Sequence, residues 1–100
     1  MKNLFLTIIL FLTCFAHSQN NSSLAESYFR EGAYEKASQL FETLEKNNPF
    51  NTRYLKRLIT CYQETNNYNR AAEHLQKKLL DNPSQQYLRI EIGYNFERQK

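Results

Sequence analysis

Asn66-Asn67-Tyr68-Asn69-Arg70-Ala71, followed twelve positions later by Pro83, repeats the pattern of Gly32-Ala33-Tyr34-Glu35-Lys36-Ala37 followed by Pro49. The shift that carries Pro49 to Pro83 also pairs Asn48 with Asn82, Tyr28 with Tyr62, Phe41 with Leu75 and Leu24 with Leu58. Applied again, it carries Leu58 to Ile92 and Tyr62 to Phe96. A fixed period of this length is the mark of a repeat architecture, in which each repeat is one supersecondary unit.

Each period holds two helical patterns. Leu55, Leu58, Ile59 and Tyr62 recur at three- and four-residue steps, as one face of a helix requires, and Ala71, Ala72, Leu75 and Leu79 resume the pattern beyond Asn66-Asn67. The preceding period shows Leu24, Ala25, Tyr28 and Phe29, then Ala37, Leu40, Phe41 and Leu44. Gly32 and Asn66 sit at the two breaks, and these residue types most readily enter the left-handed conformation that closes a helix. The second helix of each pair ends before Pro49 or Pro83, because proline disfavours helical geometry in the residue before it.

These residues resemble the tetratricopeptide repeat family. Gly32-x-Tyr34-x-x-Ala37 is similar to that family's turn and second-helix start, Phe41 falls on its large apolar position, and Pro49 on its closing proline. Asn66, Tyr68, Ala71, Leu75 and Pro83 fill the same slots, and Ile92-Gly93 matches a Leu-Gly pair in a further first helix. Departures are Leu58-Ile59 in place of Leu-Gly and Lys78 at a usually small or apolar position. The resemblance implies an all-α chain, a right-handed α-solenoid of helix-turn-helix repeats with about two and a half repeats present. The expected division is residues 1–18 as a signal peptide, 19–51 and 52–85 as two repeats, and 86–100 as the first helix of a third repeat or a capping helix.

Residues 88–96 pull in two directions. Leu88, Ile90, Ile92, Tyr94 and Phe96 alternate with other residues as a strand would, and Gly93 costs a helix interior about 1 kcal/mol. Repeat register instead places Leu88, Ile92 and Phe96 on the core face of a helix, the reading preferred here. So apolar a last segment suggests that repeats or another domain follow.

The N-terminus reads as an export signal. Met1-Lys2-Asn3 is followed by an apolar run from Leu4 to Phe15, and Ala16-His17-Ser18 has the small-residue spacing of a cleavage site before Gln19. The run is about 12 residues, short of the roughly 20 that span a bilayer. Cys14 lacks the flanking residues of a lipidation site. Cleavage after Ser18 leaves Gln19 to Lys100 and lowers the net charge from +3 to +2, since Lys2 departs and no acid does. That excess is too mild for a dedicated nucleic-acid binder. Cys61 is then a lone thiol without a disulfide partner.

No catalytic constellation emerges. His74 has no cysteine or carboxylate at zinc-ligand spacing in sequence, the paired glutamates Glu42 and Glu45 read as solvated, and only Gly32 and Gly93 remain to build a phosphate loop. The expectation is a non-enzymatic, exported scaffold of the periplasm, cell envelope or extracellular space. It takes a protein or peptide partner and uses no metal, cofactor, nucleic acid or membrane span in its mature form. The alternative is the N-terminal sensory or regulatory section of a larger signalling protein. The gene beyond Lys100 separates the two, by a kinase signature or by further repeats.

By resemblance, the concave wall is built from recurring first-helix positions. These are Phe29 and Arg30 in the first repeat, Arg53, Lys56 and Thr60 in the second, and Tyr87, Ile90 and Tyr94 in the third. Such a groove joins a basic stretch to an aromatic floor and suits an extended segment with an acidic residue near an apolar one. It does not match the clamp some relatives use for a C-terminal carboxylate. Ser22 and Glu26 replace that clamp's lysine and asparagine, and Glu91 stands where a later cation belongs.

Overall fold

The computed structural model describes residues 21–99, and the expected leader with its cleavage site lies outside them. Among these residues five helices follow one another, α1 (Asn21–Arg30), α2 (Tyr34–Asn47), α3 (Thr52–Glu64), α4 (Tyr68–Asp81) and α5 (Gln86–Gln99). There is no strand among the described residues, so the chain is all-α there. None of these helices is long and apolar enough to cross a membrane.

The period seen in the sequence recurs in the backbone. Gly32 has φ of 80° and Asn66 has φ of 62°, the two left-handed residues expected at the breaks. Around each, the same pair of hydrogen bonds closes the helix. Gly32 N–H donates to Phe29 O at 3.2 Å and Ala33 N–H to Tyr28 O at 2.9 Å, while Asn66 N–H donates to Gln63 O at 3.0 Å and Asn67 N–H to Tyr62 O at 2.7 Å. This is the Schellman arrangement, which satisfies carbonyls that the helix end leaves open. The later turns match as well. Asn48 and Asn82 share a backbone conformation, with φ of −134° and −136°, and each side-chain amide donates to the carbonyl four positions back. Asn51 then caps α3 by accepting from Tyr54 N–H at 3.2 Å.

Each helix packs on its sequence neighbours. Ala25, Ala37, Phe41, Leu55, Leu58, Ile59, Ala71, Leu75 and Leu88 form one continuous apolar core. Ala37 and Ala71 are fully buried, and each sits near the start of a second helix, where a small side chain lets two backbones approach. Beyond these neighbour contacts, polar bridges tie alternate helices together. Tyr54 O–H donates to Ser22 Oγ at 3.1 Å, linking α3 to α1, and Gln63 Nε2 donates to Asn95 Oδ1 at 3.1 Å, linking α3 to α5. Arg70 donates to Glu42 at 2.9 Å, linking α4 to α2. Hence α1, α3 and α5 form one row, and α2 and α4 another.

Residues 86–99 settle into a helix despite their alternation, because a helix carries Leu88 into the core and Ile92 against it. Phe96 departs from expectation: it is 64% exposed, and Asn95 is buried beside it. The repeat explains the difference. Tyr62, its equivalent in α3, is covered by Arg70 of the following α4, whose guanidinium carbon lies 4.9 Å from the ring centre. Among the described residues no helix follows α5 to cover Phe96 in that way.

Candidate functional site

The residues expected to line a groove lie on α1, α3 and α5, and the two ends of that row differ in chemistry. At the first end, Glu26 on α1 stands between two arginines of α3. Its carboxylate makes an ion pair with Arg53 Nε at 3.3 Å and accepts a hydrogen bond from Arg57 Nε at 3.4 Å. Arg30 follows Glu26 by one turn of α1 and is exposed, with no ion pair among the described residues. Ser22, Glu26, Arg30, Arg53 and Tyr54 line a hollow of about 320 Å³ here. Two guanidinium groups therefore pair with one carboxylate while a third, that of Arg30, lines the same hollow, which leaves positive charge in local excess.

Phe29 belongs to the floor beneath this charge rather than to open surface. Its ring meets Tyr34 and Phe41 edge-on at 5.5 and 6.3 Å, and the Arg57 guanidinium carbon lies 4.3 Å from its centre. A guanidinium over an aromatic face gains about 0.5–1 kcal/mol at an exposed site and more where water is excluded. Arg57, absent from the expected site residues, is thereby held by both Phe29 and Glu26. Its clue in sequence was the one-turn spacing from Arg53.

At the other end two ion pairs join α3 to α5, and exposed apolar side chains stand beside them. Lys56 reaches Glu91 of α5 at 4.0 Å, and Arg98 of α5 donates to Glu64 of α3 at 2.7 Å. Ile90 and Tyr94, one turn apart on α5, are 57% and 61% exposed. Tyr87 is half-buried against the core, and Thr60 Oγ1 donates to Lys56 O of its own helix at 2.9 Å. The fold thus gathers Arg30 and Arg53 into one hollow and Ile90 and Tyr94 onto one face. Phe29 and Tyr87 pack inward.

The opposite side carries a feature the sequence reading missed. A cleft of about 610 Å³ lies between α2 and α4, where Lys78 makes an ion pair with the buried Glu45 and donates to Pro49 O at 3.1 Å. His74 Nε2 stands 3.4 Å from the other oxygen of Glu45. Glu45 is therefore not a solvated helix residue, and His74 has a carboxylate companion after all. The signal was in the repeat: Glu45 stands where the next period has Leu79, and Lys78 where the previous one has Leu44. Two substitutions at apolar slots of successive repeats complement each other.

Burial holds the His74 imidazole below its ordinary value, with Lys78 and Lys77 acting the same way and Glu45 opposing them. Glu42 is also engaged, accepting from Tyr62 O–H at 2.7 Å as well as from Arg70. Burial and this bond to Glu42 push the Tyr62 phenol well above its ordinary range. Burial likewise pushes the Cys61 thiol up to about 11, so it stays protonated at neutral pH and is a poor nucleophile. No group of three or more metal-ligating side chains occurs among the described residues. Comparison with protein-family models, with curated proteins and with solved structures brings no match to this chain.

Proposed function

We propose that this chain is an exported, tetratricopeptide-like scaffold whose α1–α3–α5 row binds an extended segment of another protein. In this reading the hairpins stack as a right-handed α-solenoid, and the row of first helices forms its concave wall. A single hairpin buries one stripe only, whereas stacked repeats present an extended binding surface. The observation that carries the reading is the pairing on one row of an arginine-rich hollow with an exposed aromatic–aliphatic face. Arginine and tyrosine are among the residues that most often dominate binding energy at protein interfaces.

The test is capture of cell-envelope proteins of the native host by the purified full-length protein. Arg53→Glu and Tyr94→Ala each remove an anchor of about 2 kcal/mol, or roughly thirtyfold in affinity. Lys77→Glu, on the opposite side, serves as the control. Equal losses for the control and the groove variants overturn the assignment. Export has its own test, N-terminal sequencing of the protein recovered from that host. Mature chains starting at Gln19 support it, and soluble chains retaining Lys2 refute it.

A further inference from the structure

Resting on that groove reading, we infer that the hollow between α1 and α3 is a subsite for an acidic side chain of the bound peptide. Glu26 acts as its internal stand-in, and Ile90 and Tyr94 take an apolar side chain about four positions away. Among the described residues, the other ion pairs of the row are one-to-one. Lys56 is matched by Glu91 and Arg98 by Glu64, whereas Glu26 pairs with both Arg53 and Arg57 and Arg30 lines the same hollow.

Arg57 is fixed under Glu26 and over Phe29. Arg53 keeps 66% of its side chain exposed, and Arg30 has no ion pair among the described residues, so both have N–H donors to offer. Seryl and tyrosyl hydroxyls of Ser22 and Tyr54 border the same hollow. A second carboxylate entering there brings the local charge toward neutrality and gains charge-assisted, fork-like hydrogen bonds from guanidinium groups.

The spacing follows from the helix row. Alternate helices of the row meet through side-chain bridges rather than by direct packing, so they stand about 10 Å apart, the upper end of the range for packed helices, and a point between α1 and α3 is roughly 15 Å from α5. An extended chain advances about 3.3 Å per residue and returns a side chain to the same face at every second residue. An acidic and an apolar residue separated by about four positions therefore reach both places from one side of the strand. A charged residue over Ile90 and Tyr94 loses water without gaining a partner, and an apolar one over the arginines leaves guanidinium groups unpaired, so both are disfavoured.

Random twelve-residue peptides displayed on phage and selected on the full-length protein test this. The expected pool carries Asp or Glu about four positions from a large apolar residue. On the Arg30→Glu, Arg53→Glu double variant the acid is replaced by Lys or Arg while the apolar residue stays. On Tyr94→Ala only the apolar preference fades. A synthetic copy of a selected peptide weakens roughly tenfold or more when its acid becomes the amide. Glu26→Gln binds that peptide several-fold more tightly at low salt, because the internal competitor is gone, and equal or weaker binding overturns the role given to Glu26. Failure to enrich any peptide over a blank surface overturns the groove reading itself. Enriched peptides without an acid–apolar pair, or the same pool on the charge-reversed protein, overturn this inference alone.

Discussion

Gln63 donates its side-chain amide to the side-chain oxygen of Asn95 across 3.1 Å, with both residues buried. Asn95 in turn donates to the backbone carbonyl of Tyr68 at 3.1 Å, so one amide pair joins α3 and α5 and reaches the start of α4. A polar pair in this position specifies how α5 is rotated. Asn95 holds the repeat position that Cys61 holds one period earlier, and Cys61 is also fully buried, so the pair occupies a slot that both repeats cover.

Gln63→Leu therefore leaves the Asn95 oxygen buried without a donor and costs about 1–3 kcal/mol. Asn95→Leu deprives both Gln63 and Tyr68. Urea denaturation of the two single variants and the double variant closes a cycle, with a coupling energy of about 0.5–3 kcal/mol expected for residues in one network. Strict additivity counts against the bond.

Glu45 and Lys78 give the opposite lesson. Lys78→Met strands a carboxylate in a nearly closed site, and breaking a buried pair in this way typically costs about 3–5 kcal/mol. His74 offers only partial compensation, because burial opposes charging its imidazole. Replacing both partners with Leu restores the residues found at the equivalent positions, Leu79 and Leu44. The double variant is expected to be as stable as the natural chain or more so, by up to about 4 kcal/mol. Thermal melts of the three proteins check this, and a double variant weaker than Lys78→Met refutes it.

His74 adds a pH dependence with a defined sign. Its folded-state pKa lies below the ordinary 6.5, so below that value the unfolded chain binds more protons than the folded one. Its contribution to stability is present above pH 6.5 and is lost as the pH falls through the depressed folded value. Glu45, Lys77 and Lys78 face the same imidazole and are retained in His74→Asn. Urea midpoints measured from about pH 7.5 down to about 5 should fall more steeply for the natural chain than for His74→Asn. Parallel curves would assign the acid loss elsewhere.

The two glycines of the described residues should respond in opposite directions to alanine. Gly32 holds φ of 80°, and a side chain there costs about 1–2 kcal/mol although the nearest atom, Tyr34 Cε2, is 4.0 Å from the added Cβ. At Gly93 the added Cβ meets nothing within 4 Å inside a helix, so Gly93→Ala is expected to stabilise by about 1 kcal/mol. Circular dichroism melts of both variants decide, and a loss on Gly93→Ala would show that α5 needs a bare backbone at that point.

The sequence by itself determined what depends on the chain's own geometry. A left-handed residue closes α1 and α3, and Gly32 and Asn66 are of the types suited to it. Prolines had to end each second helix, and the three- and four-residue steps of Leu55, Leu58, Ile59 and Tyr62 required a helix with one buried face. Resemblance to the tetratricopeptide pattern, rather than the chain's own geometry, put Arg30, Arg53, Ile90 and Tyr94 on one row. Tertiary structure alone decided which of those residues stay available and which are engaged. Arg57 settles over Phe29 and against Glu26, both on α1 with the whole of α2 between, and Lys78 on α4 reaches back past α3 to Glu45 on α2. A charge pattern along one helix carries no record of the sign that the neighbouring helix brings to it. Burial is likewise a property of what lies across the interface: Tyr62 is closed over by Arg70 from the next helix, while Phe96 at the same repeat position stays 64% exposed because no described helix follows α5.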